Sequence, residues 1–271
     1  MRLIGFIPTL LILLTTVTFA RPVPEAGTPR RVVQAAAETP LIEQVRHQVL
    51  TATADLPDFL ADQTIRRSLI GQGLPVWLDT LETTVRHTHD GKEKTQVVFV
   101  ISATAARFRK YEEMDNILSI GSFSGQMTAL FRPSSQAVFT PAGEDRYRNR
   151  QCVVYSYRVP RETSVFLLRV ARSDSRKCLL PVGYSGRIWV DPETKLVLRV
   201  EQAADDILPD FPMSAAEMTI DYGWVTISGE RYWMPVTGEA LAEFRSLGKT
   251  FLNVIEFRNY RKFDGDVKVV D

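Results

Sequence analysis

From Phe59 onward, apolar and polar residues alternate with a period of two, and the alternation restarts after each cluster of turn-forming residues. Successive side chains of a strand point to opposite faces, so this pattern commits most of the chain to sheet. The spacing predicts strands over 59–69, 77–89, 94–101, 107–112, 136–140, 152–159, 165–170, 184–190, 196–202, 218–227, 232–236 and 251–263. Asp90-Gly91, Asp191-Pro192-Glu193-Thr194, Ser228-Gly229-Glu230 and Asp264-Gly265 supply the turns between them. Two segments have helical spacing instead. Thr39 to Ala54 sets Leu41, Ile42, Val45 and Val49 on one face, with Thr39 as cap and Pro40 in the first turn. Ser124 to Arg132 groups Met127, Leu130 and Phe131, with Pro133 as its stop. Strands in sequence-adjacent hairpins with two helices make an α+β plan, and the βαβ alternation of a parallel sheet is missing.

The strand faces depart from simple one-sided alternation. Tyr184, Ile188 and Val190 share a face, but Trp189 lies on the other beside Ser185 and Arg187. Met218, Ile220, Tyr222 and Trp224 share a face, with Val225 and Ile227 opposite. Phe251, Ile255, Phe257 and Phe263 oppose Leu252, Val254 and Tyr260. Helices can cover one such face. The second needs loops, closure into a filled barrel, a partner or a ligand, and the residues leave these open.

Residues 1–20 have the form of a secretory leader: Arg2, an apolar run from Leu3 to Phe19, and small residues at Thr18 and Ala20 before a cut after Ala20. The run is short for a membrane span and contains Pro8. Residues 21–38, with Pro22, Pro24 and Pro29, read as a flexible lead-in, and 39–271 as a single domain. The expected location is the periplasm or the exterior, with no stable membrane span once the leader is removed. Lys plus Arg is 33 and Asp plus Glu 32; loss of Arg2 balances them, which argues against a nucleic-acid partner. Export also makes Cys152 and Cys178 a disulfide candidate, closing a loop of about 25 residues for roughly 3 kcal/mol.

Catalytic chemistry finds little support. His87 and His89 are two ligands without a third, read as solvated beside a turn, so no metal is expected. His47 reads as a surface residue. Gly121-Ser122-Phe123-Ser124-Gly125 has Phe where a nucleophile elbow needs Ser. Asp205-Asp206, Glu112-Glu113, Asp191 and Glu201 show no spacing that demands paired acid–base work. No phosphate-cradling glycine loop is present, and no cofactor is expected.

The stretch Tyr184-Ser185-Gly186-Arg187-Ile188-Trp189-Val190-Asp191-Pro192-Glu193-Thr194-Lys195-Leu196-Val197-Leu198-Arg199-Val200-Glu201 resembles the strand–turn–strand of LolA-like, outer-membrane lipoprotein-sorting proteins. The run Asn253 to Phe263 is similar to a secreted bacterial branch of that group. The resemblance implies a strongly curved antiparallel sheet, an unclosed half-barrel, with two or so helices covering its concave face. It also implies non-catalytic binding of a lipid acyl chain or other apolar ligand. Trp189, Trp224, Trp233, Tyr222 and Phe257 are then the expected lining residues. An envelope sensor or scaffold that binds a protein partner is the alternative, and a hydrolase with a carboxylate pair the third reading.

Overall fold

A computed structural model describes residues 34–71, 74–88, 93–95, 98–103, 106–109, 123–171, 177–245 and 248–263. The leader, His89, the Asp90-Gly91 and Asp264-Gly265 turns, Gly121-Ser122 and Glu112-Glu113 lie outside the described residues.

Helix α1 spans Gln34–Ala54 and α2 spans Phe123–Phe131. The first helix begins before Thr39, so part of the expected flexible lead-in is helical and Pro40 falls inside the helix. Ala35-Ala36-Ala37, the strongest helix formers available, account for the extension. The strands are β1 (Phe59–Ile70), β2 (Val76–His87), β3 (Glu93–Thr95), β4 (Val98–Ser102), β5 (Ala106–Arg109), β6 (Val138–Tyr147) and β7 (Arg150–Val159). They continue with β8 (Leu167–Ala171), β9 (Lys177–Pro181), β10 (Tyr184–Val190), β11 (Val197–Ala204), β12 (Met213–Ile227), β13 (Glu230–Phe244) and β14 (Lys249–Lys262).

One antiparallel sheet takes the order β5-β4-β2-β1-β14-β13-β12-β11-β10-β7-β6, with β3 also on β2, while β8 and β9 form a separate pair. The large sheet is curved and unclosed, the α+β half-barrel expected from the sequence. Its central seam is the pairing of β1 with β14, which aligns Ile65 with Ile255 and Ile70 with Thr250. The edge strand β6 runs through Pro141 and a bulge at Gly143 (φ 108°). Proline is tolerated there because an edge strand need not donate its N–H to a ladder. Arg148 and Asn149, both at positive φ, close the β6–β7 hairpin, and Ser228 and Gly229 do the same for β12–β13.

The inner wall of the sheet is covered in two parts. Ile42, Val45 and Val49 of α1 and Met127, Leu130 and Phe131 of α2 pack onto Tyr155, Ile188, Ile220 and Ile255. The helices are tied by Thr128 Oγ1 donating to Thr53 Oγ1 (3.0 Å) and Arg46 Nη1 donating to the Phe131 carbonyl (2.7 Å). Beyond them the β8–β9 pair lays Leu168, Val170 and Leu180 onto Ala216, Ala242 and Phe244. The cover is therefore two helices plus a small sheet. Phe166 packs against both groups and ends an aromatic chain through Tyr184, Tyr157, Phe139 and Phe131 with centroid spacings of 5.1–6.1 Å. Gly186 permits this chain: a Cβ there would lie 1.8 Å from the Glu201 carbonyl oxygen and 2.9 Å from the Tyr157 hydroxyl.

The outer wall resolves the surplus of apolar side chains without a guest. Trp189 is buried against Cys152, Val154, Leu196 and Leu198. Its ring is flanked by the guanidiniums of Arg187 (5.0 Å) and Arg199 (5.7 Å), and its Nε1–H donates to Asp145 Oδ2 (2.8 Å). Arginine planes on aromatic faces thus cover apolar area that the alternation left exposed. Both cysteines are thiols, and the expected disulfide is not formed. Cys152 is buried in the outer-wall group, whereas Cys178 packs with the β8–β9 group, so the two belong to different walls.

Candidate functional site

The candidate site lies at one end of the inner wall. There a cavity of about 290 Å³ lies between the last turns of α1 and the β12–β13 hairpin. Val49, Ala52 and Leu56 recur at helical spacing and supply the helix side. Leu56 is held by Ile227 and Met234 of the hairpin, which fixes the helix end against the sheet. Trp224 and Trp233 face each other across the strands with rings nearly perpendicular, centroids 5.2 Å apart. The Trp233 Nε1–H is satisfied by the Val197 carbonyl (2.8 Å), so its ring presents only apolar surface. Tyr222 lies on the same wall, and burial pushes its phenol far above the ordinary range.

Three of the five expected lining residues, Tyr222, Trp224 and Trp233, therefore meet at this cavity. Two do not. Ile188 and Val190 face the helices, so Trp189 between them faces outward. Phe257 is on the inner wall but half-buried in the helix-covered group, opposite Gln63 of β1. Lys195, Leu196, Val197, Met234 and the α1 residues complete the lining without being among the expected ones. For the last the signal is local, since Val49 extends the Ile42–Val45 stripe toward Ala52 and Leu56 at the end of the helix.

The mouth is shaped by the β10–β11 turn. Asp191 is buried, and its Oδ1 accepts the backbone N–H groups of Glu193 (2.9 Å) and Thr194 (3.2 Å). Its Oδ2 accepts from Arg150 Nη1 (2.8 Å). Burial alone would raise this carboxyl; the hydrogen bonds from Thr194, Glu193 and Arg150 outweigh it and hold the group below its ordinary 3.8. The turn ends with Lys195 in the left-handed region (φ 61°), its Nζ donating to the Pro192 carbonyl. Outside the cavity an open groove runs along α1 past Glu43, His47, Thr51 and Asp55. His47 is exposed, as expected. His87 is not solvated: it is buried and stacked on Phe59, with centroids 4.8 Å apart. Among the described residues, no group of three or more His, Cys, Asp or Glu is placed to hold a metal ion.

Fold and site define an α+β half-barrel with a small apolar cavity opening beside its first helix. No protein-family model matches the chain, and comparison with curated proteins finds no significant match. Solved structures similar in outline include a lipoprotein-sorting protein domain from Vibrio parahaemolyticus, 11% identical with a TM-score of 0.43, covering 86% of this chain and 95% of that one. A DUF1329 family protein from Desulfovibrio piger is 13% identical with a TM-score of 0.39, covering 84% and 95%. A LolA superfamily protein from Nitrosomonas europaea is 8% identical with a TM-score of 0.38, covering 81% and 94%.

Proposed function

We propose that this chain is an exported, non-catalytic binding protein that holds the apolar tail of an amphiphile in the cavity between α1 and the β12–β13 hairpin. The observation that carries this reading is the cavity itself, walled by two perpendicular tryptophans and opening to solvent. Its volume of about 290 Å³ is room for roughly ten water-sized groups, so for one short chain. Burying ten methylenes yields about 8 kcal/mol, from which association removes at least ~4 kcal/mol. The tail alone then gives a Kd near the millimolar range. The secretory form of residues 1–20 supports export, and no helix among the described residues is long and apolar enough to cross a membrane. Asp55 is the one carboxylate among the lining residues, which favours binding over hydrolysis by a carboxylate pair.

The test is uptake of single-chain alkyl ligands, followed by tryptophan fluorescence and native mass spectrometry, in the wild type and in Ala52→Trp. Ala52 is exposed at the mouth, so the larger ring plugs the entrance without disturbing the core. Wild-type uptake that Ala52→Trp abolishes is expected. Equal uptake by both places the ligand elsewhere and defeats the proposal.

A second reading, docking to an envelope protein, is favoured by one feature. Leu74, Val76, Trp77 and Leu78, around the β1–β2 turn, are 89, 61, 42 and 37% exposed. Such a cluster of large apolar residues at one tip is a common mark of an interaction surface. The unpaired edge β6 suits this role less, because Pro141, the Gly143 bulge and Glu144, Asp145 and Arg146 obstruct strand addition. A photo-crosslinker at Leu74 should then capture one defined envelope protein, and capture of none counts against it.

A further inference from the structure

The cavity and the open groove share four residues: Gln48, Ala52, Asp55 and Lys195. These four form the lip. Two are charged, of opposite sign, and they come from different elements, Asp55 just beyond the end of α1 and Lys195 at the end of the β10–β11 turn. They form no ion pair with each other. Glu43, the next carboxylate along the groove, is engaged with Arg46 (3.2 Å).

The same division of charge continues on both sides. On the sheet side Arg231 stacks over Trp224, its guanidinium 4.7 Å from the ring centroid, and adds a second cation to the cavity wall. On the helix side α1 ends at Ala54, and the carbonyls of its last turn give that end a partial negative charge in line with Asp55. The mouth therefore has a positive rim along the sheet and a negative rim along the helix, above a cavity with room for one tail. A purely anionic headgroup meets Asp55 and the helix end. A purely cationic one meets Lys195 and Arg231. A headgroup that carries both charges satisfies both rims.

From this geometry we infer that the ligand is a single-tailed zwitterionic amphiphile, with its anionic group set toward Lys195 and Arg231 and its cationic group toward Asp55 and the end of α1. The inference rests on the binding function proposed above and names the class of ligand for the same cavity. It also supplies what the tail lacks, because the tail contributes only a Kd near the millimolar range.

Four ten-carbon probes below their micellar concentrations test it on the leaderless chain: decylphosphocholine, decyl phosphate, decyltrimethylammonium and a neutral decyl glycoside. Decylphosphocholine should bind roughly three- to tenfold more tightly than the neutral probe, the scale of one or two partly exposed charge contacts. Asp55→Asn should weaken the zwitterion and the cation and strengthen the anion. Lys195→Met should weaken the zwitterion and the anion and strengthen the cation. Both positions are at least partly exposed, and unchanged affinity for the neutral probe reports an intact cavity. Equal affinity for neutral and zwitterionic probes, or a variant that shifts all four alike, overturns the headgroup assignment and leaves the apolar cavity standing. No uptake of any probe overturns the cavity reading itself.

Discussion

Replacing Asp191 by Asn tests how the site's mouth is held together. The carboxylate is buried and accepts three hydrogen bonds, two from the backbone of its own turn and one from Arg150. Asparagine can keep one oxygen toward the backbone N–H groups, but it loses the charged oxygen and turns an N–H₂ toward a guanidinium. A hydrogen bond to a charged group is worth about 1.5–3 kcal/mol. The Arg150 side chain is 51% exposed, so solvent screening reduces this to about 1–2 kcal/mol. Urea unfolding at neutral pH should show that loss. The pH dependence has a definite sign. Asp191 is held below its ordinary 3.8, so its contribution is complete above that value and is lost as pH falls through the lower folded value. The wild type should therefore lose more stability than Asp191→Asn on acidification below about pH 4. The turn also places Lys195, so the variant should weaken decyl phosphate more than the neutral probe. A loss below about 0.5 kcal/mol, with acid limbs that coincide, would refute the account of this turn.

Three further outcomes follow from the walls of the sheet. Gly186→Ala forces a methyl group into the Glu201 backbone and the Tyr157 hydroxyl; destabilisation of about 3 kcal/mol or more is expected in thermal or urea unfolding. Arg67 and Asp79 form a bidentate pair, both contacts 2.6 Å, with side chains only 12 and 14% exposed. Asp79→Ala removes both of these charge-assisted hydrogen bonds from a largely enclosed guanidinium and should cost about 1.5–3 kcal/mol, more than a matched apolar replacement of both residues. Titration of the protein purified from the periplasm, in urea without reductant, should count two thiols. In the native state Cys152 should be the slower to alkylate, because burial raises its thiol above the ordinary 9.0.

The sequence carried the strand periods, the apolar stripes of both helices and the Ser228-Gly229 hairpin, because these are local. The β1–β14 seam was invisible, since period-two alternation states which face a residue occupies and not which strand lies beside it. Strand β6 runs past the end that the alternation predicts, because Pro141-Ala142-Gly143 has the composition of a turn and only its edge position lets it continue as strand. Trp189 shows a different error. The alternation sets it opposite Ile188 and Val190, so its place on the outer wall is legible, whereas its size and apolarity alone suggest a lining residue. Aromatic character marks burial in general, and only the position of the helices says which wall encloses a space. Much of the apolar surplus that left loops, a filled barrel, a partner or a ligand open is covered by the arginine-stacked outer wall and the β8–β9 pair. The cavity described above lies at one end of that wall.

The row of inner-wall residues between the two covers offers a last test. Tyr157, Gly186, Gln202, Met218, Ala240, Asn253, Arg67 and Asp79 are aligned across successive strands. Four of them are polar or charged at a level where the rows on either side are largely apolar. Gln202 is 5% exposed, and its Nε2 has no hydrogen-bond partner among the described residues, as is true of Asn253 Oδ1. An amide group in that state costs about 1–3 kcal/mol, and methionine has nearly the same volume and flexibility. If the row serves stability alone, Gln202→Met should raise it by about 1–2 kcal/mol, because it removes an unmet donor beside Met218 without opening a void. A variant that is less stable than the wild type would contradict this reasoning: the amide would then have to contribute more to the fold through its remaining contacts than its unmet Nε2 takes away. A variant that is more stable but takes up amphiphile less well would assign the row to function, a polar boundary that confines the apolar tail to the end of the half-barrel where Trp224 and Trp233 stand.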